Sequence, residues 1–308
     1  MSKRFSYHNP VLILVSIVIF FSSPISLFAC ACGCNVFSVG GRWMMATSAG
    51  LRAFIIYDYM NQYKNWNGWR SAASDLNDDK TIRTNFYTLS MQDMVSREWG
   101  VMLEIPVWNR YFQTTDDAGN LASVIHTSLA DIRVLGMYTG ISEDMSTAIE
   151  FGLKLPTGPY NQSLMDRDTQ IGTGTTDLLL GGYRMGDLNG WGWFSQAMWE
   201  HAFSSRDGYR PGDSFDISVG VHYDNLMSTY KIVPMVQIAA SFRASDSGPS
   251  SDPANTGYER FYISPGVEAN LTQGVQLYAD VRIPLFTHVT GYQLVAPTLV
   301  EFTLGYNL

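Results

Sequence analysis

The feature that most constrains this chain is alternation with a period of two. Phe215-Asp216-Ile217-Ser218-Val219-Gly220-Val221-His222-Tyr223-Asp224 puts Phe, Ile, Val, Val and Tyr on one face and Asp, Ser, Gly, His and Asp on the other. Successive side chains of a strand point to opposite faces, so this is a strand with one apolar and one polar side. Val275 to Ile283 repeats the pattern, as do Val101 to Ile105 and Thr147 to Leu155. Twelve such segments run through the sequence, at 50–61, 81–93, 99–112, 127–140, 146–156, 174–186, 191–204, 213–226, 229–243, 258–270, 275–287 and 297–308.

Their lengths and connections narrow the choice. Strands of soluble sheets average five or six residues, whereas these run to about ten, near the length that crosses a bilayer at a tilt. Five connections are short, around Val95-Ser96-Arg97, Ser142-Glu143-Asp144, Asp187 to Gly190, Leu226-Met227-Ser228 and Leu271-Thr272-Gln273. The others are mostly long and polar, such as Lys64 to Lys80, Gln113 to His126, Thr157 to Gly174 and Ala244 to Gly257. Inside lipid every backbone N–H and C=O needs a partner within the protein, so a sheet there must close on itself. The sequence therefore predicts an all-β fold: a transmembrane, antiparallel, up-and-down β-barrel of about 12 strands, with short turns on one side and long loops on the other.

The final stretch, Val300 to Leu308, alternates to its last residue. Val300, Phe302, Leu304, Tyr306 and Leu308 are expected to face lipid, and Glu301, Thr303, Gly305 and Asn307 the lumen. An apolar alternating terminal strand also resembles the signal read by the outer-membrane assembly machinery, although Leu308 stands where Phe or Trp is usual. Pro106, Pro234, Pro265 and Pro284 fall within predicted strands and are expected at bulges or rims, because proline removes a ladder donor.

At the other end, Lys3 and Arg4 precede the apolar run Val11 to Phe21, then Ser22-Ser23-Pro24 and small residues. This is the layout of a secretory signal peptide, too short to span a membrane, and residues 1–31 are assigned to it. All three cysteines, Cys30, Cys32 and Cys34, sit at this junction. Cleavage at Ala29-Cys30-Ala31 would leave Cys32 first; Leu27-Phe28-Ala29-Cys30 resembles a lipoprotein box and makes Cys30 a lipidation candidate; a metal or redox role for the C-x-C pair is a third reading. Residues 32–49 are read as a periplasmic N-terminal segment or a lumen plug, and 50–308 as the outer-membrane barrel. The formal net charge of −8 excludes a basic nucleic-acid surface.

"LPTG" at 155–158 and "QIGTGTTDLLLGGY" at 170–183 carry a family resemblance. With the leader, they resemble a bacterial outer-membrane β-barrel transporter family, that of the meta-pathway of phenol degradation. In that family a proline at a strand end, a long loop and a Gly-Thr-Gly-x-x-Asp strand start follow one another; here they are Pro156, the loop, and Gly172-Thr173-Gly174-Thr175-Thr176-Asp177. The resemblance extends over 35–308 and implies a barrel carrying small solutes, possible partners being aromatic or other amphipathic compounds. It supplies no catalytic residues.

Motifs for hydrolases, zinc proteases and phosphate cradles are missing from the sequence. His126, Ser128 and Asp131 permit a hydrolase reading only loosely; Asp75, Asp78 and Asp79, or Asp166 and Asp168, are read as solvated acidic loops before cation sites. No catalytic, metal or cofactor site is therefore assigned. The lumen-lining candidates are Arg52, Glu104, Arg110, Asp131, Arg133, Glu150, Lys154, Asp216, His222, Asp224, Lys231, Arg243, Arg260, Glu268, Asp280 and Arg282. A charge on the lipid face costs about 2–4 kcal/mol at the midplane, which sends these inward. They either line a narrow aqueous pore that selects solutes by charge or pair across the lumen and plug it, with Phe54, Met102, Trp108, Met235, Tyr262 and Tyr278 adding bulk. The expected function is passive diffusion of small solutes through an outer-membrane channel; the alternatives are a non-conducting or surface-binding barrel and, behind these, a barrel hydrolase.

Overall fold

Alternating β-branched and aromatic residues fit a pleated surface with one face covered, and the described residues build fifteen strands, three 3₁₀ turns and one four-residue α-helix. The computed structural model describes Phe37 and residues 41–115, 119–272 and 274–308. The leader, its cleavage site and Cys30, Cys32 and Cys34 lie outside the described residues.

The strands are β1 (Gly50–Gln62), β2 (Lys64–Gly68), β3 (Arg70–Ser71), β4 (Asp79–Met94), β5 (Trp99–Thr115), β6 (Leu121–Leu129), β7 (Ile132–Tyr138), β8 (Thr147–Leu155), β9 (Asp177–Leu188), β10 (Trp191–Ala202), β11 (Ser214–Tyr223), β12 (Ile232–Arg243), β13 (Tyr258–Thr272), β14 (Val275–Val295) and β15 (Leu299–Asn307). All pairings are antiparallel, and β15 pairs with β1 to close the ring. β6 and β7 share one stave beside β5, while β2 and β3 stand outside the ring on the extended end of β14, so twelve staves make the barrel.

The register fixes which side chains face in. Arg52, Phe54, Ile56, Asp58, Met60 and Gln62 of β1 are buried, while Ile55 between them is 60% exposed. In β15 Glu301 and Thr303 are buried, and Phe302 is 52% exposed. The outward set is a belt of Leu89, Val101, Val134, Ile149, Phe151, Leu180, Val219, Val236, Ile238, Leu277 and Leu304. An exposed apolar surface this continuous fits hydrocarbon, not water. Trp99 on Tyr138 and Trp191 on Tyr223 pair outside near the short turns, each at 4.7 Å, as interfacial aromatics do.

The turns account for the register. β9 and β10 meet through Asn189 (φ 53) and Gly190 (φ 80), the two positive angles of a type I′ hairpin. Pro284 lies at the bulge where Phe261↔Phe286 is followed by Tyr262↔Pro284. Pro106 lies where β5 changes partner from β7 to β6, and its carbonyl accepts from Ala130 N–H at 2.8 Å. Pro234 sits near the start of β12.

Several sequence expectations need correction. Gln113 to His126 is largely a hairpin: β5 continues to Thr115, and β6 starts at Leu121. The stretch 127–140 breaks at Ala130-Asp131, and the 174–186 strand starts only at Asp177. The β11–β12 connection is a helical turn over Asp224–Tyr230, closed by Lys231 at φ 56. Lys231 is therefore exposed in a turn and does not line the lumen. Asp224 is half-buried at the mouth and leaves the strand ladder, because period-two reasoning continues a strand into any alternating turn.

Candidate functional site: the barrel lumen

The remaining candidates, Arg52, Glu104, Arg110, Asp131, Glu150, Lys154, Asp216, His222, Arg243, Arg260, Glu268, Asp280 and Arg282, are buried on the inner face, and Arg133 is partly so. Asp58, Asp177 and Glu200 belong with them. Their phase signals it: Asp58 lies six residues from Arg52, an even spacing that keeps one face.

These charges pair mainly along the wall. Lys154 of β8 meets Asp177 of β9 at 2.5 Å and bonds Glu200 of β10. Arg133 of β7 reaches Glu200 at 3.1 Å and Glu104 of β5 at 3.6 Å. On the other side Arg282 meets Glu301 at 2.8 Å and Asp280 at 3.5 Å, and Asp280 also accepts from Gln237 at 3.0 Å and from Ser264. A buried charge is tolerable only with such partners. Arg260 lies over the Tyr258 ring, its guanidinium carbon 3.9 Å from the centroid.

Two segments fill the lumen. From the short-turn side comes the turn at Arg42–Met44, with Trp43, Met44, Met45 and Ala46 buried. Trp43 Nε1 donates to Glu301 at 3.2 Å, and its ring lies 4.9 Å from Phe54 and 6.3 Å from Tyr278. Arg52 donates to Met45 O and Gln92 to Met44 O, both at 2.9 Å, and Ala46 N–H donates to the Tyr183 hydroxyl at 3.0 Å. Arg42 meets Glu268 at 3.2 Å and Asp224 at 3.4 Å. Wall side chains thus satisfy backbone groups of a segment that has no ladder of its own.

From the long-loop side comes the loop 156–176, and here the quoted motifs acquire a role. Gly158 and Gly172 cross so closely that a Cβ on Gly172 would lie 2.3 Å from the Gly158 carbonyl oxygen, and one on Gly158 3.0 Å from Ala130 Cα. Asp131 clasps both arms of this neck: it accepts from Gly158 N–H at 3.0 Å and from Thr173 N–H and hydroxyl at 2.8 Å each. Beyond the neck the loop turns inward. Thr169, Gln170 and Ile171 are buried, Arg110 donates to the Thr169 carbonyl, and Met165 packs with Ile82, Phe112 and Leu294. The hydrolase trio does not assemble: a ring nitrogen of His126 lies 3.1 Å from Ser163 O, and Asp131 is committed to the neck.

Between these segments lies a cavity of about 130 Å³. Its floor is Phe37, Trp43 and Met44, its roof Arg167, Asp168, Gln170 and Ile171, and its walls include Phe86, Trp108, Glu104, Arg133, Lys154 and Glu301. Phe86 and Trp108 meet edge to face at 4.9 Å. Above the roof opens a vestibule of about 450 Å³ bordered by Asp78, Asp79, Asp166, Asp168 and Asp252. Arg167, Asp168 and Tyr209 border both spaces, and the Arg167 guanidinium lies 4.1 Å over the Tyr209 ring. Burial, then Asp246 and Asp166, pushes the Asp168 carboxyl up to about 7.

A closed barrel, apolar outside and polar within, defines the class: a membrane-embedded β-barrel of the outer-membrane type. Among solved structures the chain is similar to the COG4313 outer membrane channel from Pseudomonas putida F1, with 13% identity, a TM-score of 0.66, and coverage of 88% of this chain and 100% of that one. It is also similar to the β domain of the Bordetella autotransporter BrkA, with 11% identity, a TM-score of 0.51, and coverage of 85% and 100%. At these identities the likeness is one of fold. No family model and no curated protein sequence matches the chain.

Proposed function

We propose that this protein is an outer-membrane channel for passive diffusion of small amphipathic solutes, aromatic ones among them, with residues 1–31 as the cleaved leader and 50–308 as the barrel. The observation that carries this reading is the cavity between the two lumen segments, with aromatic faces and both signs of charge on one small space. A flat ring is held by stacking and a polar substituent by the charged rim, and neither contact is tight enough to trap the solute. The acidic vestibule sets a preference for neutral or cationic solutes, and the wall charges Arg133, Lys154 and Glu104 sort what passes. On this reading the segment near residue 42 is a plug, the exposed belt contacts outer-membrane lipid, and β15 closes the ring during assembly.

Liposome swelling tests it. Refolded protein should admit small phenols and anilines faster than sugars of similar mass, and swelling no faster than in protein-free liposomes for every solute would refute it. The second reading, a non-conducting barrel, is supported by the pairing of the wall charges and the two filling segments; it requires that the intact protein give no swelling above protein-free liposomes, with permeability appearing only when both segments are removed.

A further inference from the structure

Three neighbouring staves place two polar side chains and a glycine in one inward row at the short-turn mouth. Asp187 of β9 pairs with Gly192 of β10, and Gly192 pairs with His222 of β11. Glycine leaves the middle of this row empty, so its neighbours lean over it: a Cβ on Gly192 would lie 2.1 Å from His222 Nε2 and 2.7 Å from Asp187 Oδ1. Asp224, at the start of the following turn, completes the group, with its Oδ2 3.0 Å from His222 Nδ1. One ligand atom from each of Asp187, His222 and Asp224 lies within 4.8 Å of the other two. His222 is buried, while Asp187 is open to solvent and gives an ion a route in.

We propose that Asp187, His222 and Asp224 form a binding site for a divalent transition-metal ion at the short-turn mouth of the barrel, and that the ion competes there with Arg42. One imidazole and two carboxylates suit Zn²⁺ or Ni²⁺, whose bonds to such ligands are about 2.0–2.2 Å; tetrahedral ligand atoms then stand about 3.4 Å apart, so atoms now up to 4.8 Å apart close by up to about 1.4 Å through side-chain rotation, and water completes the shell. The competition follows from charge. Arg42 already lies 3.4 Å from Asp224 and 3.2 Å from the His222 ring, and also holds Glu268 at 3.2 Å. A dication bound to Asp224 and His222 repels the guanidinium, so metal loads as Arg42 lets go of Asp224 and keeps Glu268. The site needs no solute and no conduction, and it stands whether or not the barrel is a channel.

The test is isothermal titration of the tag-free, detergent-refolded protein with Zn²⁺ alone. The expected result is saturable binding of one ion. Loss of a direct ligand should weaken it at least as much as loss of an outer-shell partner does, by about tenfold or more, in both His222→Ala and Asp187→Asn. Asp187→Asn alters an exposed rim group, so its folding is secure, and heat-modifiable mobility on gels checks both variants. Arg42→Ala should bind several-fold more tightly than wild type. Absence of saturable binding to the wild type, or binding that Asp187→Asn and folded His222→Ala leave unchanged, overturns the site. Unchanged affinity in Arg42→Ala overturns the competition.

Discussion

The two segments that fill the lumen are held in different ways. The loop 156–176 is clasped at its own neck by Asp131 from the break between β6 and β7, with Gly158 and Gly172 crossing against Ala130. It is part of the wall, and its position is set by backbone contact that cannot loosen without disturbing the barrel. The turn at Arg42–Met44 has no such anchor. It hangs on side chains of five or more staves, among them Arg52, Gln92, Tyr183, Glu268 and Glu301. The difference teaches which barrier is built to move. Side-chain bonds to a short strap exchange one at a time, while a crossed-glycine neck opens only as a unit.

Experiments can break this contrast from both sides. The largest expected effect belongs to the strap: Arg42→Ala combined with Trp43→Ala should raise liposome swelling rates several-fold with only a modest fall in the thermal midpoint of the barrel. A fall in midpoint with no gain in swelling would show that the strap is core and not barrier. The neck comes next. Asp131→Ala leaves two backbone N–H groups without a partner, at about 1–3 kcal/mol for each buried group, so the midpoint should drop clearly while swelling rises less than in the strap variant. Gly172→Ala drives a methyl into the Gly158 carbonyl and should cost about 1–3 kcal/mol, read in the same melt. The smallest effect is one of pH. Asp168, pushed up to about 7, is charged above that pH and neutral below it. Cation preference in reversal potentials should therefore be higher at pH 8 than at pH 6, and Asp168→Asn should reduce the difference.

Much of this molecule is legible in its sequence, because a side-chain period of two is a local property. It marks the staves, the alternation of β15 and most of the charges buried on the inner face, and it leaves out Asp58, Asp177 and Glu200. It failed where the chain stops being a strand. Lys231 alternates in phase with β12 yet sits in a left-handed turn position, and nothing in a one-residue pattern marks where a ladder ends. Asp131 reads in the sequence as one lumen charge among many and as a loose companion of His126 and Ser128; its hold on Gly158 and Thr173, 27 and 42 residues away, needs the fold. The crossing of Gly158 and Gly172 shows why both quoted motifs carry glycine, a reason invisible until the two are brought together. Arg42 and Trp43 were noted only within a segment that could enter the lumen, since a segment without periodicity gives no face to read.

The most direct test of the central claim, a water-filled route closed by a removable strap, is single-channel recording in planar bilayers of the full-length mature protein and of a variant lacking residues 41–46. The account expects small discrete steps from the first and distinctly larger, steadier steps from the second. Silence from both, or identical step sizes, would contradict it.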